Sequence, residues 1–214
     1  MVRFLVALAA LLAVALGAAP AQAAPAAVEA RAVTVAGGDT LTNAGGRCTL
    51  GFNVTGRGIL AGRCGPVGTR WSAGATPVGF VSTVFASTGL TLITIDNPAV
   101  VQLHGIRTGA TVIAISAAAN SFVGQQVKVV SPVSGLHSGV VTALNATITF
   151  PEGTITGLVR STICPDSGGV GAPIFAGTSG LSMVLGGSGN CTSGGTTYSQ
   201  PITPLLAQTG RAIF

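Results

Sequence analysis

Charge is scarce in this 214-residue chain: 7% of the residues are charged, with five acids, ten bases and a single lysine, Lys128. The bases are scattered instead of gathered into a stripe, which excludes a nucleic-acid footprint. Histidine is limited to His104 and His137, cysteine to four positions, and no CxxC occurs. Neither a metal site nor a cofactor is therefore implied. Beyond the first residues, no apolar run is long enough to cross a bilayer as a helix.

The N-terminal residues are the exception. Met1-Val2-Arg3 is a short positive start, 4–19 is almost unbroken apolar sequence, and Ala21-Gln22-Ala23 follows. This is the pattern of an export signal cleaved after Ala23. The apolar run is shorter than the roughly 20 residues a membrane-spanning helix needs. The reading is a signal peptide over 1–23, no membrane span after its cleavage, and a secreted, extracellular or cell-envelope protein. Four cysteines in an exported chain should pair. Three connectivities are open, of which Cys48 with Cys64 and Cys164 with Cys191 is the most local.

What is abundant is glycine, at 32 residues, interspersed with short β-rich runs. These are 48–54 (CTLGFNV), 78–85 (VGFVSTVF), 90–95 (LTLITI), 111–116 (TVIAIS), 140–150 (VVTALNATITF) and 181–185 (LSMVL). Strands at this spacing, separated by Gly, Ser, Asn and Pro, predict an all-β sandwich or barrel. Several runs are apolar on both faces, so the sheets should be closed or stacked. Only 203–208 (TPLLAQ) invites a helix, with Thr203 as cap and Pro204 in the first turn. Asn53, Asn145 and Asn190 each begin a glycosylation-type sequon, which a threonine-rich β protein supplies by chance.

The most specific stretch is Cys164-Pro165-Asp166-Ser167-Gly168-Gly169. Gly-Gly-Arg-Cys-Thr-Leu-Gly-Phe-Asn-Val (45–54) and Ala61-Gly62-Arg63-Cys64 lie upstream of it, His137 begins HSGVVTALNATI (137–148), and 186–206 carries GGSGNCTSGGTTYSQPITPLL. In this order the segments resemble the streptogrisin branch of the chymotrypsin-like serine proteases, from about Val35 to the C-terminus. The resemblance implies two antiparallel six-stranded β-barrels, over 35–118 and 119–214, with a short C-terminal helix and a peptide-binding cleft between the barrels. It also implies the disulfides Cys48–Cys64 and Cys164–Cys191. Residues 24–34 are then a short N-terminal extension where such enzymes carry a large pro-region.

At the site, the resemblance calls for a serine, a histidine to take its proton, and an aspartate to orient the histidine. Ser167 holds the nucleophile position, but Arg63 replaces the base. Arginine stays protonated and has five donors and no acceptor, so it cannot take a proton from Ser167. His137 matches a family histidine outside the triad, and His104 falls in a loop-like stretch. The aspartate's place falls on Gly89, or on Thr88 with a shift of one, and no acid lies between Asp39 and Asp96. Asp96 itself reads as part of an Asp-Asn-Pro turn. Pro165, which has no N–H, replaces the oxyanion-hole glycine. Leu185 stands where the family supports its aspartate with a serine. Asp166 should meet an arginine of the second barrel, but Val129 or Val130 takes that place, with Lys128 adjacent.

Gly186, Gly187 and Ser188 match the strand that hydrogen-bonds extended peptides. The expectation is therefore a monomeric, secreted, catalytically inactive serine-protease homologue, with an extended peptide or protein in the cleft as its partner. The alternative is a weak or non-standard serine hydrolase using Ser167.

Overall fold

In the structure, a computed structural model, residues 32–150, 153–164 and 169–214 are described. The export-signal reading and Pro165, Asp166 and Ser167 lie outside them. Sixteen strands and one helix follow in order: β1 (Val33–Gly37), β2 (Thr40–Asn43), β3 (Gly46–Val54), β4 (Gly58–Ala61), β5 (Arg70–Ala73), β6 (Thr76–Val84), β7 (Thr91–Ile95), β8 (Val100–Thr108), β9 (Thr111–Ala114), β10 (Ala117–Ala118), β11 (Gln126–Ser131), β12 (Gly135–Phe150), β13 (Gly153–Ser161), β14 (Pro173–Ala176), β15 (Ser179–Asn190), β16 (Gly194–Pro201) and α1 (Ile202–Thr209).

Strands β2-β3-β4-β7-β6-β5 close into an antiparallel barrel. A second ladder runs β15-β14-β11-β12-β13-β16, and the β15–β16 pairing returns it to its start. A small β1-β8-β9 sheet holds β1 and β8 in parallel. The two-barrel, all-β expectation therefore holds.

The apolar character of both strand faces now has its reason. On β4, Ile59 and Ala61 fill the first barrel while Leu60 faces outward into a second cluster. That cluster joins Phe52, Leu60, Phe85, Leu90 and Leu92 of the first half to Phe175, Met183 and Leu185 of the second. Val127, Val129, Val141, Ile163 and Ile174 fill the second barrel. Each strand at the junction is thus buried on two sides, with no solvent face to carry polar residues. Asn53, the first residue of one sequon, is 3% exposed and donates to the Val35 and Leu103 carbonyls, so it is a core residue.

Several local expectations are corrected. His104 is not in a loop: it lies on β8, exposed, with its ring edge-on to that of Phe214 at 4.6 Å. The loop-like look of its surroundings came from Gly105, where the strand passes against the Ile113 carbonyl. Thr203 does not cap the helix. Pro201 is the N-cap residue, without a side-chain cap bond, and the Thr203 hydroxyl donates to Asn120. The helix starts one residue earlier because β16 runs straight into it, and burial of Ile202, Leu205 and Leu206 anchors it. Ala117 and Ala118, read with the first barrel, pair in parallel with β15 of the second. Val33 and Thr34, read with the N-terminal extension, already belong to β1.

The disulfides are Cys48–Cys64 and Cys164–Cys191, as the resemblance implied, and suit an oxidising compartment. The first closes a loop with a sequence separation of 16. Replacing both of its cysteines by serine should cost about 3 kcal/mol, mostly by freeing the unfolded chain. For a chain of this size, that is a fall in Tm of roughly 6–12 °C in a calorimetric scan.

Candidate active-site cleft

Arg63 leaves the end of β4 through Gly62, whose carbonyl accepts a hydrogen bond from the buried Thr91 hydroxyl at 2.8 Å. Cys64 follows at once and is tied to β3, so residues 62–64 are held from both sides. Gly62 N–H donates to the Thr49 carbonyl at 2.9 Å. A Cβ on Gly62 would run into the Val170 carbonyl, and one on Gly171 into Gly62 itself. The two barrels touch here backbone to backbone. Val170 lies in the turn that leads into β14, so Gly62, next to Arg63, packs against that turn.

The Arg63 side chain turns toward 88–89. Its Nε–H donates to the Thr88 carbonyl at 2.9 Å. A Cβ built on Gly89 would meet Arg63 Nε, Cγ and Cδ at 3.3–3.5 Å. Gly89 thus directs its side-chain position at Arg63, while Thr88 offers a backbone acceptor. Gly89 adopts φ +69°, a left-handed conformation open to glycine at little cost. The Thr88 hydroxyl is engaged locally, accepting from Leu90 N–H at 3.3 Å, and Thr88 is 2% exposed.

A cavity of about 470 Å³ opens at this point. It is lined by Arg63, by 86–89 from the first half of the chain, and by Gly153, Thr154 and Ile155 at the start of β13. Leu185 is 2% exposed and packs in the cluster that contains Phe85 and Leu90. Apolar packing replaces the hydrogen-bonding group that a buried carboxylate beside Gly89 would need.

On β15, pairing with β14 ends at Met183, and Val184 is bonded to Gly171 and Ala172. From Gly186 to Asn190 the strand pairs with β16 alone among the described residues, with Gly186 opposite Tyr198, Gly187 opposite Thr197 and Ser188 opposite Thr196. Gly187 and Ser188 are exposed. Among the described residues, no strand pairs with the other edge of this stretch.

The other residues weighed in the sequence do not line the Arg63 cavity. Asp96 pairs with Arg70 at 2.9 Å on the surface. His137 lies on β12, opposite Val129 and hydrogen-bonded to the Ser134 hydroxyl. It comes near Cys164 and Cys191, but their sulfurs are bonded to each other and offer no thiolate. Val129 and Val130 are both buried, whereas Lys128 is exposed, so Lys128 does not point inward with them. The lining residues that the sequence reading missed are Thr154 and Ile155, which β13 brings to the Arg63 cavity from far along the chain, with no local signal to mark them.

The two barrels, the interbarrel cleft and the disulfides define a protein of the chymotrypsin-like serine-protease fold. Streptogrisin-A of Streptomyces griseus is 36% identical over 184 residues, covering 84% of this chain and 61% of that protein. Serine protease 2 of Streptomyces fradiae is 35% identical over 174 residues, covering 76% of this chain and 100% of that protein. Among solved structures, alpha-lytic protease homolog N4 superposes with a TM-score of 0.76 at 38% identity, covering 85% of this chain and 100% of that one. No protein-family model matches. The chain belongs to the streptogrisin-type, chymotrypsin-like bacterial serine protease family, and it spans under two thirds of the length of streptogrisin-A.

Proposed function

We propose that this protein is a secreted serine-protease homologue without peptidase activity, whose cleft binds an extended peptide. The observation that carries the proposal is the hydrogen bond from Arg63 Nε to the Thr88 carbonyl, with the Arg63 stem against Gly89. A permanent cation takes the place of the imidazole, and its own side chain occupies the direction a carboxylate at Gly89 would take. No proton acceptor results. The β15 edge at Gly186, Gly187 and Ser188, with which no described strand pairs, supports peptide binding by strand addition. The leader-like residues 1–23 and the two disulfides support secretion.

A second reading, a weak or non-standard hydrolase working through Ser167, draws support from relatives that are themselves named proteases and from the retained Asp166-Ser167-Gly168-Gly169. Fluorophosphonate labelling of the purified mature protein separates the two, with Ser167→Ala as control. The proposal expects no labelling of folded, fully disulfide-bonded protein. Labelling that disappears in Ser167→Ala would establish an activated nucleophile and favour the hydrolase.

A further inference from the structure

The segment between β10 and β11 displays two large apolar side chains to solvent. Phe122 is 61% exposed and Val123 60%. Hydrogen bonds fix the turn that carries them. Phe122 N–H donates to Gln125 Oε1 at 3.2 Å, and Gln125 N–H donates to the Phe122 carbonyl at 3.2 Å. Gly124, at φ +89°, closes the turn, and its N–H donates to the Val141 carbonyl at 2.8 Å.

That last bond sets the turn against β12, where the exposed surface continues. Val141 fills the second barrel, while Thr142 and Leu144 beyond it are exposed, Leu144 by 40%. On β13, Arg160 is exposed, and its Nε–H donates to the Thr142 hydroxyl at 3.0 Å. On β11, Lys128 is exposed between the buried Val127 and Val129. The adjacent strands β11, β12 and β13 thus carry an apolar tip and two cations on the outside of the second barrel. None of these residues lines the Arg63 cavity.

Large apolar groups gathered at one exposed place mark an interaction surface, and charge selects its partner. The ion pairs among the described residues are Arg70 with Asp96 and Arg107 with Asp39, so Lys128 and Arg160 belong to neither. The chain as a whole has ten bases against five acids. A second copy would bring further positive charge to the patch, which opposes self-association. A dissolved polyanion would satisfy the cations but leave Phe122 and Val123 in water. An anionic lipid surface meets both needs, with headgroups at the cations and the acyl boundary at the apolar tip.

We infer that this face docks the protein reversibly on an anionic lipid membrane, with Phe122 and Val123 inserted and Lys128 and Arg160 at the headgroups. The docking involves neither Arg63 nor Ser167, so it holds for an inactive homologue and a hydrolase alike.

The test is co-sedimentation of the purified mature protein with vesicles of phosphatidylcholine, alone or mixed with phosphatidylglycerol. Binding should be confined to the mixed vesicles and should fall as salt rises. Phe122→Ser with Val123→Ser should weaken it about tenfold, and Lys128→Gln with Arg160→Gln about 20-fold. Arg47→Gln, which removes a charge from the first barrel, should change it by less than about twofold. All the replaced side chains are exposed, so every variant should keep the wild-type Tm. In Phe122→Trp, mixed vesicles should shift the new indole's emission to the blue, over a constant background from Trp71, which is 5% exposed in the first barrel. Absence of binding to the mixed vesicles overturns the inference. Binding that survives Phe122→Ser with Val123→Ser, or an unshifted Phe122→Trp emission, overturns it too and identifies a purely electrostatic contact with a polyanion.

Discussion

Replacing Arg63 by His and Gly89 by Asp in one chain is expected to raise turnover of a reactive peptide ester by about 10³-fold, while Gly89→Asp alone leaves it at the wild-type background and Arg63→His alone gives at most about a tenth of the double variant's gain. The triad is worth on the order of 10⁶ in turnover; without the histidine almost none of that remains, and without the carboxylate a Ser–His pair keeps only about 10². The double variant regains the unit but not the full rate, for two reasons. Pro165 still withholds an oxyanion donor, which typically costs about 10²–10³. Leu185, 2% exposed in an apolar cluster, gives the new carboxylate no hydrogen bond. Adding Pro165→Gly should recover about 10² more. Space allows the experiment, since the atoms nearest a Cβ at Gly89 belong to Arg63, which is removed in the same chain, although φ +69° at this position costs the new aspartate about 1–2 kcal/mol of stability. The gain should fall away with acid as the introduced imidazole protonates, below about pH 6–7. Activation by Arg63→His alone as large as that of the double variant would mean that some other carboxylate orients the ring, and would remove Gly89 from the account.

Gly171→Ala should cost at least about 3 kcal/mol and lower Tm by roughly 6–12 °C, whereas Gly177→Ala should cost only about 1–2 kcal/mol. Both glycines have positive φ, +94° and +57°, so both alanines suffer the backbone penalty. They differ in surroundings. A Cβ at Gly177 meets nothing within 4 Å, while one at Gly171 overlaps Gly62 and lies 2.9 Å from the Thr49 carbonyl. These neighbours are backbone atoms of the opposite barrel and cannot turn aside as a side chain would. The damage should therefore spread to Arg63, the next residue after Gly62. Thermal unfolding of both variants checks the contrast. Equal Tm values would show that the barrels do not depend on this approach.

Much of this was legible in the sequence. Short β-branched and aromatic runs between glycines announced an all-β fold, and their two-faced apolarity announced closed sheets. Ordered segments around Cys48, Cys64, Cys164 and Cys191 carried the family resemblance and with it the disulfides. The arginine at position 63 and the missing acid between Asp39 and Asp96 needed no coordinates. Local signals failed where a distant partner decided the outcome. Thr203 has the chemistry of a helix cap, yet Asn120 takes its hydroxyl and Pro201 begins the helix. His104 sits among turn-like residues, yet pairing of β8 with β1 and β9 makes a strand of them.

The sequence by itself determined the class of fold, the family and the chemical character of each residue at the cleft. Those follow from side-chain identity and from short-range order, which a linear chain displays directly. Only the tertiary structure decided that Arg63 donates to the Thr88 carbonyl with its stem against Gly89, and that β15 from Gly186 to Asn190 pairs with β16 alone among the described residues. Each of these depends on segments far apart in the chain. The barrel closure and the glycine contact between barrels bring them together, and no local pattern encodes that distance.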